Sequence, residues 1–147
     1  MSDAKQYCSF FVDRLFFGVE VREVQEVIRY QEMTRVPQAA SEVAGLINLR
    51  GQIVTAIDLR RRLGLGDIPA GKLPLNVVIR TDDAAVSLLV DEIGDVLQVE
   101  EEAFERPPET LTGAARDVIQ GVYKLKDRLL LILDTAKTVN VSIPAAA

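Results

Sequence analysis

Gly45-Leu46-Ile47-Asn48-Leu49-Arg50-Gly51, followed by Gln52-Ile53-Val54-Thr55-Ala56-Ile57-Asp58, is the stretch from which the fold can be read. Apolar residues flank Arg50-Gly51, and Gly51 supplies the positive φ that a two-residue hairpin turn requires. The pattern returns as Gly121-Val122-Tyr123-Lys124-Leu125-Lys126-Asp127, which runs into Leu129 to Leu133 and then Asp134. Glycine and aspartate stand thirteen positions apart in both copies. Upstream, Val21-Arg22-Glu23-Val24-Gln25-Glu26-Val27 is echoed by Val90-Asp91-Glu92-Ile93-Gly94-Asp95-Val96. Two motifs recurring in the same order predict two similar β-rich halves, not one wound sheet.

Working outward, Tyr7 to Val12 and Leu15 to Val19 read as a hairpin turning at Asp13-Arg14. Val21, Val24, Val27 and Ile28 recur at helical spacing, so a short helix leading into a strand is expected there. Ser41 reads as the cap of one helical turn. Asp58 is expected to cap a helix over Leu59 to Leu63, with Gly64 ending it. Residues 66–74 hold two glycines and two prolines and mark the expected boundary between lobes. Beyond it, Leu75 to Arg80 and Ala84 to Val90 form a hairpin across Asp82-Asp83. Gly94 to Val99 is a strand, and Val118 to Leu125 pairs with Arg128 to Leu133. Asp134 caps a last helical turn near Thr138. Strands this short and numerous argue for small barrels. The expected organisation is one domain over 7–139. Lobe one spans about 14–74 and lobe two about 75–139, with exchange of the N-terminal strand left open. Residues 140–147 form a tail.

Composition narrows function by exclusion. The chain has 147 residues, 48% of them hydrophobic, with a net charge of −5. An acidic average disfavours nucleic acid as a partner, and the longest aliphatic run, Leu129 to Leu133, is too short to span a bilayer. Met1 to Gln6 lacks the charged-then-apolar order of a signal peptide, so a cytoplasmic location is expected. The single Cys8 cannot form an internal disulfide. There is no histidine at all, which removes Ser-His-Asp and Cys-His nucleophile systems and histidine-ligated metals.

The residues that could carry chemistry have plainer readings. Asp58, Asp91 and Asp134 each end an apolar strand, as a Mg²⁺-binding phosphoacceptor would, but the acidic pair and crossover helices of such a site are missing. Caps explain Asp58 and Asp134, and a turn explains Asp91. Glu100, Glu101, Glu102 and Glu105 read as a solvated acidic loop. Arg60-Arg61-Arg62 reads as the exposed side of a short helix. Ile53, Val54, Leu89 and Leu131 read as core. Glu26 and Arg50 occupy matching places beside the repeated motif, where the second copy has Asp95 and Lys126, and an ion pair between them would suit recognition better than stability.

At these residues the sequence resembles the CheW family of chemotaxis coupling proteins. The matching stretches are Phe17 to Val27, Thr34-Arg35-Val36-Pro37, Gly45 to Val54, Ile57-Asp58-Leu59-Arg60, Leu88 to Asp91, Pro107-Pro108, Gly121-Val122 and Asp127-Arg128-Leu129. They keep order and spacing from about Tyr7 to Val139. The resemblance implies a mainly β fold: two SH3-like, five-stranded barrels around a shared hydrophobic core, with short helices. It further implies an adaptor without enzymatic activity or cofactor. Its expected partners are the cytoplasmic tip of a chemoreceptor and the regulatory domain of the histidine kinase CheA, at membrane-bound receptor arrays. A coupling protein of a non-flagellar chemosensory system fits the same residues. The partner-binding set carried over by position is Val24, Glu26, Val27, Arg35, Gly45, Asn48 and Arg50. Glu26 and Arg50 resemble the family's charged surface pair, and Val24, Val27 and Gly45 fall in the region associated with receptor binding.

Overall fold

The apolar runs on either side of each turn form strands, and their partners are chosen by how short the links between them are. A computed structural model describes residues 4–82 and 84–140. In chain order it contains β1 (Ala4–Val12), β2 (Leu15–Glu20), a 3₁₀ turn (Val21–Glu23), β3 (Val24–Ile28), β4 (Val43–Leu49), β5 (Gln52–Asp58) and α1 (Leu59–Arg62). There follow β6 (Leu75–Arg80), β7 (Ala85–Val90), β8 (Glu92–Glu100), a second 3₁₀ turn (Glu101–Ala103), α2 (Gly113–Val118), β9 (Ile119–Lys124), β10 (Leu129–Leu133) and α3 (Thr135–Thr138). Asp83, in one expected turn, and nearly all of the expected tail lie outside the described residues. Ser41 sits in a simple turn rather than a helical one, and β4 already begins at Val43.

Two five-stranded sheets result, in the orders β8-β1-β2-β10-β9 and β3-β6-β7-β5-β4. The orders match strand for strand when β1–β5 are laid on β6–β10 with their leading hairpins exchanged. β5 runs parallel to β7, and β10 runs parallel to β2. The sequence repeat is therefore real, but the lobe boundary expected near residue 74 is not where the lobes part. Residues 66–74 join α1 to β6 within one sheet, because β6 and β7 pair with β3 and β5. The exchange involves the whole β1–β2 hairpin rather than one strand. The cause is local. One residue, Asp91, separates β7 from β8, and three separate β2 from β3. A single residue cannot supply the two-residue turn of a hairpin, so the chain runs on into the other sheet.

This threading gives the central strands two covered faces. Phe10, Val12, Phe17 and Val19 of one sheet meet Ile57, Val77, Ile79, Leu88 and Val90 of the other in a shared core, closed by Leu59, Val118 and Leu131. The opposite faces fill the two barrels. Ile47, Val54, Ala56, Val78 and Leu89 fill one, and Tyr7, Phe16, Tyr123, Leu130 and Ile132 fill the other. Double coverage explains why Leu130-Leu131-Ile132-Leu133 shows no polar alternation. Each large side chain buried this way contributes about 1.5–3 kcal/mol relative to exposure.

The repeated glycine has a packing reason. Main-chain bridges tie Thr34 to Leu46 and Glu105 to Val122, so in each lobe a connecting segment crosses the outer strand. A Cβ on Gly45 would stand 2.7 Å from the Thr34 carbonyl oxygen, and one on Gly121 would run into the Phe104 ring. The repeated aspartates are caps, as expected: Asp58 accepts from the Arg61 N–H and Asp134 from the Lys137 N–H.

Candidate interaction surface

β3 and β4 are the outer strands of their sheet. Arg50 and Gly51 at the β4–β5 turn both have positive φ, 52° and 88°, the requirement of a tight two-residue hairpin. Asn48 secures the turn by accepting the Gly51 N–H through Oδ1 at 2.9 Å. The turn projects Arg50 towards β3, where Nη1 and Nη2 donate to Glu26 Oε2 and Oε1 at 2.8 and 2.9 Å. This two-bond fork is the most directional form of ion pair. Glu26 is mostly covered, with 17% of its side chain exposed, while 79% of the Arg50 side chain remains exposed. A pair so open to water stabilises the fold by only about 0–1 kcal/mol. Its remaining arginine surface is presented to solvent in a fixed orientation.

Apolar residues accompany the pair. Val27 is 42% exposed and Ile53 61% exposed. Ile53 lies directly opposite Asn48 in the hairpin, so both share one face. Ile53, read as core from its strand position, is thus a surface residue. Its alternate neighbour Val54 takes the barrel interior.

The other expected contact residues divide. Val24 is half-buried and packs against the shared core. Gly45 is buried beneath Met33 and Thr34 and has no open face of its own, so it supports the surface rather than forming it. Arg35 is exposed, but the Thr34–Leu46 bridge sets it beside Gly45 at the far end of β4. At the strand rise that is about 16 Å from Arg50. It lines a separate groove with Asp58 and Arg61. Glu26, Asn48 and Arg50 therefore form one constellation, Val27 and Ile53 are exposed on the opposite face of their strands from Glu26, and Arg35 stands apart.

The repeat places a related surface on the other lobe, which sequence reasoning had not drawn out. Val96, Ile93 and Leu129, 59%, 38% and 37% exposed, stand at the positions of Val27, Val24 and Ile53. The signal was present in the offsets of the repeat. Among the described residues Asp95 and Lys126 form no ion pair there, and Lys124 instead pairs with Glu105 at 3.4 Å.

The reading of Arg60-Arg61-Arg62 as an exposed basic run needs correction. Arg60 is 8% exposed. Its Nε and Nη2 donate to Asp91 Oδ1 and Oδ2 at 2.9 and 2.6 Å, and its Nη1 donates to the Gly66 and Asp67 carbonyls. Asp91 is therefore more than a turn residue. Burial alone would push its carboxyl up. The hydrogen bonds from Arg60 and from the Asp13 N–H, with the nearby charge of Lys72, reverse this and hold it below the usual carboxylate range. Asp58 and Asp134 are spent on caps. Among the described residues, no group of three or more His, Cys, Asp or Glu is placed to hold a metal ion, and no helix is long and apolar enough to cross a membrane.

Two intertwined barrels, with a directed charged pair and exposed apolar residues at a barrel edge, define an interaction module. The chain belongs to the CheW family of chemotaxis scaffold proteins: the model of the CheW-like domain matches residues 6–142. It is 34% identical over 125 residues to the chemotaxis protein CheW of Bacillus subtilis, covering 85% of this chain and 80% of that one. It is 28% identical over 136 residues to the chemotaxis protein CheW of Treponema pallidum, covering 90% and 80%. Among solved structures, the scaffolding protein TtCheW from Thermoanaerobacter tengcongensis superposes with a TM-score of 0.80 at 27% identity, covering 91% of this chain and 90% of that one.

Proposed function

We propose that the protein is a non-enzymatic adaptor that couples the cytoplasmic tip of a chemoreceptor to the regulatory domain of the histidine kinase CheA. It would act in the cytoplasm, at membrane-bound receptor arrays. The observation that carries this reading is the Glu26–Arg50 fork. It adds little to stability, yet the turn and Asn48 hold it rigidly at the end of the β4–β5 hairpin, and the same strands expose Val27 and Ile53. A charged anchor on strands that also expose apolar residues suits a protein partner, and arginine is enriched among the residues that dominate such contacts.

The mechanism is positional. Two partner surfaces on one body hold receptor and kinase in register, and signal passes only if contacts differ between the active and inactive arrangements. Weak single contacts would gain strength from repetition in the array. Titration calorimetry with the isolated CheA regulatory domain and, separately, a receptor tip fragment tests the reading. Binding of wild type to both, with at least a tenfold loss for Arg50→Glu towards one of them, supports it. Absence of binding to either folded partner contradicts it.

A further inference from the structure

Two crossovers join the lobes, and equivalent helices hold them unequally. β7 passes into β8 through Asp91, and β2 passes into β3 through Val21–Glu23. At the first crossover the Asp91 N–H donates to the Phe11 carbonyl at 2.9 Å, and the Asp91 carboxylate accepts the Asp13 N–H. Both contacts pin Asp91 to the β1–β2 hairpin. Arg60, on the helix of the other lobe, closes on that same carboxylate with two donors. Arg62 adds a second tie between lobes, donating from Nε to the Thr138 carbonyl at 3.0 Å and from Nη2 to the Lys137 carbonyl at 2.7 Å.

Among the described residues the second crossover has no such fork. Where α1 carries Arg60, the repeat places Ala136 on α3. Among those residues the tie there is a hydrogen bond from Thr135 Oγ1 to Glu23 Oε2 at 2.5 Å. An open groove lies beside it, lined by Arg22, Glu23, Arg80, Thr81, Thr135 and Val139.

We infer that Arg60, acting through Asp91, is the positioning residue that fixes the angle between the lobes, and that the Thr135–Glu23 side is where they open. The planar arginine fork suits this role, because two parallel donors fix direction as well as distance. The consequence for function rests on the adaptor reading. Surfaces on different lobes stay in register for two partners only while the angle between the lobes is held.

The test uses the whole isolated protein in a Cys8→Ser background. Nitroxide labels at Gln25→Cys and Gln120→Cys, exposed strand positions on different lobes, report the interlobe distance by pulsed electron-spin measurement. The combination of Arg60→Gln with Asp91→Asn leaves no buried charge unpaired and so favours folding. It is expected to widen the distance distribution at least twofold while slow amide exchange persists in both sheets. Thr135→Val is expected to shift the mean distance. An unchanged width in the neutral pair, an unchanged mean in Thr135→Val, or widening accompanied by lost protection within either sheet would overturn the inference. No partner is needed. If wild type bound neither partner, the adaptor reading would fall and the hinge would stand.

Discussion

Arg60 and Asp91 are joined by a fork of 2.9 and 2.6 Å at the one-residue link through which the chain passes from β7 in one lobe to β8 in the other. The side chains are 10% and 15% exposed. Removing one partner strands a buried charge, which costs about 3–5 kcal/mol. Arg60→Gln and Asp91→Asn should therefore each lower stability by that amount in urea unfolding, and the double variant should lose much less than their sum. An additive double variant would show that the two residues act independently.

The same pair gives the fold an acid limb. Asp91 is held below its ordinary value in the folded chain, whereas in the unfolded chain it titrates near its ordinary value of about 3.9. Its contribution is therefore complete above roughly pH 5 and disappears as pH falls through the folded value. The groups that face Asp91 are Arg60, the Asp13 N–H and Lys72, while Asp13 and Asp58 face Arg60. The stability gap between wild type and Asp91→Asn should be flat from neutral pH to about pH 5 and should shrink below about pH 4. A gap that widens on acidification would contradict this assignment.

Arg50→Glu should separate recognition from stability. With 79% of the Arg50 side chain exposed, its loss should change unfolding free energy by no more than about 1 kcal/mol. The β4–β5 turn should persist, because its geometry depends on Gly51 and Asn48 rather than on the arginine charge. A thermal midpoint shifted far beyond that range would make Arg50 a structural residue.

Gly45→Ala and Gly121→Ala test the crossing segments. Each added Cβ meets backbone closer than 3 Å, and at Gly121 it also meets the Phe104 ring. Overpacking of this kind costs about 1–3 kcal/mol, with Gly121→Ala the more costly of the two. Chemical denaturation of both variants checks the order. A neutral Gly45→Ala would mean that the Thr34 segment is free to lift.

Burial pushes the Cys8 thiol pKa up. At neutral pH the reactive thiolate is correspondingly scarce. Thiol reagents should modify Cys8 more slowly in the native protein than in urea. Equal rates would place Cys8 in open solvent.

What could be read from sequence was what local chemistry decides. Arg50-Gly51 names its turn, Asp58 and Asp134 name their caps, and the spacing of the repeat names two related halves. The partners of a strand are decided elsewhere in the chain. Nothing within Leu75 to Val90 says that this hairpin pairs with β3 and β5; the one-residue link at Asp91 does, and only once the strand ends are known. Ile53 shows the same limit. Alternation gives it a face, but whether distant segments cover that face cannot be read locally. Arg60 looked exposed because arginine usually is, and its carboxylate lies 31 positions away. The Glu26–Arg50 contact was legible as a possibility because the repeat put both residues beside the same motif. Arg35 and Gly45 came with the family pattern, and geometry alone could separate them from the exposed pair.

The most direct test of the adaptor account is a reconstituted kinase assay with CheA, a receptor cytoplasmic fragment and this protein, with Arg50→Glu in parallel. The account predicts receptor-dependent change in CheA autophosphorylation only when the wild-type protein is present, and loss of that change with a folded Arg50→Glu variant. Receptor control of the kinase that is indifferent to the protein, or fully retained in Arg50→Glu, would contradict it.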